Sequence, residues 1–343
     1  MPCSSLAQFP SSKKLPSGKN DAVPSEVQSG PIRRDSGRLQ STDAINDRAL
    51  PLVSIIMSMR NSSATVGAAV GSVLMQSLRD FELIVIDDGS SDRSHTIVEG
   101  FNDDRIRLIR ESSSAGLAAR LNQAVTLSRG EFIARMDADD VCFPERLSRQ
   151  VARLREDPQL DLVGCGAVVF TSSGELIGEM PVGIDHRDIV ARPFIGFPLP
   201  HPTWCGRASW FRNNPYESSL RYAEDQDLLL RSFRHSRLAG LNSVLFGYRQ
   251  DGLALKKLLP GRATFMKSLW RNGVITGDTL PALAGIASHA AKGLADVATL
   301  GLGLNRQMQL RRLKPVSSAV EQEWRRLQEG LVAACGDPDG GGG

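Results

Sequence analysis

Along the first half of the chain, apolar residues come in short blocks, and each block gives way to a polar or acidic turn. Residues 52–57 read as a buried strand, followed by the polar turn 58–63. Val66, Ala69, Val70, Val73 and Leu74 then recur at helical spacing within 64–77. Residues 81–86 repeat the strand signal and run into Asp87 and Asp88, after which Ser91 or Asp92 is placed to cap a short helix reaching Glu99. Residues 105–109 alternate as a third strand, and Gly116 precedes a helix over 117–128. A fourth apolar block, from Gly130, ends in Asp137, Asp139 and Asp140, three carboxylates within four residues. Four strands separated by helical segments predict parallel βαβ units, with a crevice at the carboxyl ends of the strands.

The pattern then changes. Pro144 suits the start of a basic amphipathic helix over 145–156, stopped by Asp157-Pro158. Residues 160–170 and 175–180 predict an antiparallel hairpin about the turn 171–174. A switch from parallel to mixed pairing marks the passage from a donor-binding half, 51–143, to an acceptor half, 144–252. In the second half a short helix is expected over 185–191, a Pro-rich loop over 194–200, a strand-like 201–206 and a helical turn over 207–213. A helix opens within 222–227 and continues to 233, and a last strand covers 241–248. Carboxylates in the first turn of a helix favour its dipole whatever else they do, and this applies to Glu224, Asp225 and Asp227. From 253 to 335 the character is helical; this extension is expected to pack on the core, the alternative being an anionic membrane surface. Residues 1–50, rich in Ser, Pro, Gly and charge, and the Gly-rich 336–343 are expected to be disordered tails.

Composition narrows the function classes. With 343 residues, 41% hydrophobic and 23% charged, the chain has the makings of a soluble globular protein with a sizeable core. Its 41 basic and 38 acidic residues leave a charge of +3, which gives no bulk signal for nucleic acid. Five scattered cysteines lack disulfide or zinc spacing and read as free thiols of a reducing, cytoplasmic setting. The first residues lack the apolar core of a signal peptide, and the apolar stretch 280–304 is interrupted by His289, Lys292 and Asp296, which argues against a spanning helix. The chemistry concentrates in Asp137-Ala138-Asp139. Two carboxylates so close repel, and a hard divalent cation or a cationic ligand between them is the best reason to fold them together, a solvated acidic turn being the alternative. An EF-hand is excluded, because its glycine would fall on Cys142.

Taken in series, Val53-Ser54-Ile55-Ile56-Met57 with Asn61, Phe81 through Ser90, Asp137-Ala138-Asp139-Asp140 with Pro144-Glu145-Arg146-Leu147, His201-Pro202-Thr203, and Ala223 through Leu228 resemble the family 2 glycosyltransferases of GT-A fold. The resemblance covers about residues 52–252. It implies an inverting transfer of a sugar from a nucleotide-diphosphate donor, with Mn or Mg, to a hydroxyl of a carbohydrate or lipid-linked acceptor, in polysaccharide or glycoconjugate assembly. It implies a place at the inner face of the membrane if the contact is peripheral. By the same resemblance, Ser58 and Arg60 lie near uracil and ribose, Asp88 accepts the uracil imide hydrogen, and Arg120 is the basic residue near the nucleotide. Asp139 is the expected metal ligand and Asp137 the partner of ribose or metal. Asp225 matches the catalytic base, with Glu224 as its alternative. His201, Asp227, Arg231 and Arg249 take supporting parts, with Arg231 reaching back to Asp227 at i,i+4. Where the family often has a histidine after Tyr248-Arg249, this chain has Asp251, so Arg249, Lys256 or Lys257 replaces it or the role is vacant. A nucleotidyltransferase and a non-catalytic sugar-nucleotide-binding module are the competing classes; the first expects a Gly-rich phosphate loop, yet residues 58–66 hold no glycine and one cation.

Overall fold

The structure, a computed structural model, describes residues 50–335 apart from 253 and 312; the expected tails at 1–49 and 336–343 lie outside the described residues. The chain alternates strand and helix: β1 (Val53–Met59), α1 (Val66–Leu74), β2 (Phe81–Asp87), α2 (Ser94–Glu99), β3 (Ile106–Arg110), α3 (Leu117–Leu127) and β4 (Phe132–Asp137). Next come β5 (Val141–Cys142), α4 (Arg146–Glu156), β6 (Leu162–Phe170), β7 (Leu176–Met180), α5 (His186–Ile189), β8 (Cys205–Arg207), α6 (Ala208–Asn213), α7 (Glu224–Ser232) and β9 (Leu238–Arg249). Four helices close the described chain: α8 (Leu255–Thr276), α9 (Thr279–Gly301), α10 (Asn305–Leu310) and α11 (Ser318–Cys335).

Among the described residues the strands form one sheet in the order β3-β2-β1-β4-β8-β6-β9-β5, with β7 also pairing with β6. The first four are parallel, as the alternation of blocks predicts. Strand β8 then joins antiparallel to β4 and β6, while β9 runs parallel to β6. This mixed α/β sheet flanked by helices is the expected fold class.

Both faces of the parallel half are covered, which is why its strands read as continuous apolar runs instead of alternating. Val53, Ile55 and Met57 pack on one side with Val66, Val70, Leu147 and Val151, and Ile56, Ile84 and Ile86 on the other with Leu121, Trp204 and Leu228. The amino-terminal end of this half is closed by a buried ionic clamp. Glu82 accepts from Ser54 Oγ (2.7 Å), Arg107 Nη1 (2.9 Å) and Arg129 Nη2 (2.9 Å). Burial raises the Glu82 carboxyl, but these donors outweigh it and hold it below its usual range. Gly130 is required beside the clamp, since a Cβ there would stand 2.6 Å from Ser54 N.

Two local expectations need correction. Residues His201–Thr203 form a 3-10 turn, and the strand begins only at Cys205, because Pro202 has no N–H for a ladder. Helix α2 takes Arg93 at its N-cap, not Ser91 or Asp92. Asp92, one residue earlier, still accepts from the N–H of Ser94, the first residue of α2, and ties that start to the loop after β1 through Ser63 N, at 3.0 Å each. Helix α4 is amphipathic, as expected, and its buried face carries one of its arginines. Arg146 is fully buried, its Nη2 donating to the carbonyls of Arg135 (2.6 Å) and Pro202 (3.1 Å), with the guanidinium over the Phe246 ring.

Candidate active site

The parallel topology brings the ends of β1, β2 and β4 to one edge. Ser58 pairs with Asp137 across β1 and β4, and Met59 with Asp87 across β1 and β2. A cleft of ≈ 360 Å³ opens there, lined by Ser58, Arg60, Asn61, Asp137, Asp139 and Arg249 among others. Ser58, Arg60, Asp137, Asp139 and Arg249, all singled out in the sequence, therefore share one hollow.

The acidic cluster is shaped by two arginines. Arg135, buried within β4, grips Asp137 with both Nη atoms (2.6 and 2.7 Å). Arg249 donates its backbone N–H to Asp140 Oδ1 (2.8 Å) and its Nε to the Asp139 carbonyl (2.8 Å). One oxygen from each of Asp137, Asp139 and Asp140 lies within 4.8 Å of the others. That is about the span of two oxygens on one ion at 2.0–2.6 Å. Asp140 Oδ2 is buried without a hydrogen-bond partner. Burial and then the charge of Asp137 raise the Asp139 carboxyl, and both effects raise that of Asp140 well above the usual range. An orphaned buried oxygen and mutually repelling acids are a donor set that fits a hard divalent cation. Asp140 was not singled out in the sequence as a ligand, although it is the third acid of the run.

Asp88 sits 3% exposed at the tip of β2, and the structure places it deeper than base recognition requires. It accepts from Ser114 Oγ (2.6 Å), Ala115 N (2.7 Å), Gly116 N (3.1 Å) and Arg120 Nε (2.7 Å). These four donors fill the carboxylate's acceptor sites. Ser114 also accepts from Arg60 Nη1 (2.8 Å), so a hydrogen-bonded chain runs from Arg60, at the cleft wall, through Ser114 and Asp88 to Arg120. Arg120 is buried behind Asp88 and does not line the cleft.

On the other side of β9 lies a second hollow of ≈ 240 Å³, lined by Pro200, His201, Thr203, Asp225, Tyr248 and Gln250 among others. Tyr248 and Gln250 face it while Arg249 between them faces the first, as side chains alternating along a strand must. Asp225 is delivered by a sharp corner: Ala223 adopts the left-handed conformation (φ 54°) immediately before α7 begins. The Asp225 carboxylate is partly exposed and accepts from Gln226 Nε2 (3.1 Å). Glu224 is buried, with Oε1 3.6 Å from His201 Nδ1, whose Nε2 meets the Tyr216 hydroxyl at 2.8 Å. Burial raises both acids, Glu224 to about 7, and the field of Arg135 reaches both. Burial and Arg135 hold His201 neutral. Asp227 faces inward, accepting from Arg231 Nε (2.8 Å) at the expected i,i+4 spacing and from Arg271 Nη2 (2.6 Å) of α8. Asp251 turns to the 171–174 hairpin, accepting from Ser172 N at 2.6 Å; of the cations considered in its stead, Arg249 lines the cleft and Lys256 and Lys257 do not.

Residues 54–212 match the family described as Glycosyl transferase family 2. The putative glycosyltransferase EpsE of Bacillus subtilis (strain 168) is 36% identical over 214 residues, covering 60% of this chain and 76% of that protein. The UDP-Glc:alpha-D-GlcNAc-diphosphoundecaprenol beta-1,3-glucosyltransferase WfgD of Escherichia coli is 29% identical over 195 residues, covering 56% and 73%. The crystal structure of S. aureus TarS in complex with UDP-GlcNAc superposes with a TM-score of 0.55 over 83% of this chain and 81% of that one, at 16% identity, so the likeness is one of fold. An acid-tipped parallel sheet, a second hollow reached by α7, and sequence relatives matched over most of their length meet in one conclusion: the chain belongs to glycosyl transferase family 2.

Proposed function

We propose that the protein transfers a sugar from a UDP-sugar to an acceptor hydroxyl, with inversion at the anomeric carbon and with a divalent cation, Mn or Mg, in the polysaccharide or glycoconjugate pathway of its cell. The observation that carries this reading is the pair of hollows flanking the end of β9, one beside three clustered aspartates and the other walled by Asp225. Asp139 and Asp140 would hold the cation, with Asp137 steered by Arg135 toward the ribose or the same ion. When bound, such an ion neutralises the charge that collects on the departing diphosphate.

The chain's own residues supply the rest. Arg249, at the cleft wall, offers its Nη groups to the diphosphate. Ser58 and Arg60 line the nucleoside end; reading a uracil imide at Asp88 needs the Ser114 hydroxyl to turn away, leaving one acceptor position for the base. Asp225 takes the acceptor's proton as the acceptor oxygen bonds to the anomeric carbon and the bond to the diphosphate breaks on the opposite face. Glu224, buried and with its carboxyl near neutral pH, holds His201 and shapes the wall. The UDP-GlcNAc in the TarS complex and the lipid-linked acceptor in the name of WfgD support a UDP donor and a lipid-linked or carbohydrate acceptor.

The test is a panel of UDP- and dTDP-sugars with Mn or Mg, read by nucleotide release and by NMR of the product's anomeric configuration. Metal-dependent release of UDP with inverted product is expected. Tight UDP binding without turnover on any donor, or turnover that survives chelation of the metal, would contradict the reading.

A further inference from the structure

Helix α9 is built inside out. Two of its polar residues point inward: His289 and Asp296 are buried, the latter against Arg262 (2.7 Å) of α8, so these two interruptions of the apolar stretch do not reach its outer face, and Lys292 is half-buried. That outer face carries Leu280 (78% exposed), Leu283, Leu294 (74%) and Val297, and its other exposed positions are Ala, Gly, Thr and Pro, without one charge. Trp270 (52% exposed), Val274 and Ile275 extend the apolar surface along the end of α8. A monomer seldom leaves so many large apolar side chains in water on two neighbouring helices without a use for them.

Charge selects the occupant. Residues 254–311 contain eight Lys and Arg against two Asp, and both aspartates are ion-paired, Asp278 with Arg234 and Asp296 with Arg262. Lys256, Lys257, Lys267 and Arg311 are exposed on α8 and just after α10, as is Arg306, which pairs with Glu175 (3.6 Å). A second copy presenting this same face would oppose like charges, whereas an anionic bilayer matches both components. No helix of the described residues is long and apolar enough to cross a membrane, which leaves a helix lying in the interface.

We infer that the outward face of α9, with the end of α8, docks the protein on an anionic lipid surface. The docking face is coupled to the second hollow. Gly285 of α9 leaves no space for a Cβ beside the Phe194 carbonyl (2.5 Å), and Phe197 N in the same loop donates to Gln226 Oε1 (2.8 Å), the neighbour of Asp225. The lipid surface is thus one packed layer from the wall where the acceptor is placed. That placement rests on the reaction proposed above; the docking itself does not.

The full chain is mixed with vesicles of phosphatidylcholine alone or in equal parts with phosphatidylglycerol. Trp204, Trp210 and Trp324 are buried, so Trp270 is a native reporter. Binding to the anionic vesicles, a blue shift of Trp270 emission and its quenching by brominated acyl chains are expected. Binding at least about tenfold weaker is expected for Leu283→Gln with Leu294→Gln and for Lys256→Glu with Lys257→Glu. Both double variants alter exposed positions, so unchanged melting temperature and UDP affinity are expected, and the Trp270 readings on the wild type stand even if a variant fails to fold. Absence of vesicle binding, binding that leaves Trp270 unshifted, or a concentration-dependent dimer that the leucine variant abolishes would overturn the inference, the last by assigning the face to a second copy.

Discussion

Glu224 and Asp225 are neighbours with the same functional group, yet one is buried and the other partly exposed at the second hollow. Glu224 is buried, and its carboxyl rises to about 7 from an ordinary 4.5, first through desolvation and then through the charge of Asp225. Between those values the folded protein holds a proton that the unfolded chain has released. Stability therefore falls as pH rises through that window, and the loss is complete above it. Glu224→Gln removes the cost, so it is expected to gain about 2–3 kcal/mol at about pH 8 and little near pH 4.5, read by denaturant unfolding without added metal. A rise in melting temperature with Mn and UDP is expected of the wild type, and Asp140→Asn is expected to abolish it. The D-x-D pair could be singled out in the sequence because carboxylates that close an apolar block repel one another unless something binds them, whereas Glu224 and Asp225 stood out only through the family resemblance, since acids in a first helical turn are favoured by the dipole in any case. The roles of Arg135, Arg146 and Ser114 were not legible, because each depends on a partner brought close only by the sheet. A charge within the apolar block of β4 was nevertheless a signal that a buried partner was needed.

At the scale of elements, local patterning settled the parallel half and failed where pairing is long-range. Strand β9 joins β6 in parallel, setting Leu238 opposite Leu162, and nothing in its own residues states that register. The first half of the expected strand at 201–206 became a turn because Pro202 cannot donate, and that turn sets His201 beside Glu224. Helix α7 starts at Ala223 in a left-handed conformation that costs an L-residue about 1–2 kcal/mol. Ala223→Gly is expected to leave stability unchanged or raised by up to about 1 kcal/mol, while Ala223→Val lowers it by more than about 1 kcal/mol, both measured by chemical unfolding. A loss on Ala223→Gly as large as that of the valine variant would show that the corner carries no strain.

At the scale of the whole molecule, the carboxy-terminal helices are fastened to the sheet and its flanking helices at several points, two of which lie close to the site. Arg271 of α8 reaches Asp227 of α7, and Trp324 of α11 packs on Phe143 and Phe170 in a third core beside the acidic edge. Helical character here was readable from composition; its target was not, because an apolar face does not name what it covers. Trp324→Ala is expected to destabilise the protein by about 3–5 kcal/mol and, through Phe170 under the Arg249 guanidinium, to weaken UDP binding as well. The central claim is a proton acceptor at Asp225 facing a metal-held nucleotide across the end of β9. The most direct measurement compares wild type and Asp225→Asn for turnover of a UDP-sugar with Mn, with UDP affinity determined on the same samples. The account predicts turnover lower by about 10²–10⁴-fold with UDP affinity unchanged; an Asp225→Asn protein that turns over at the wild-type rate would contradict it.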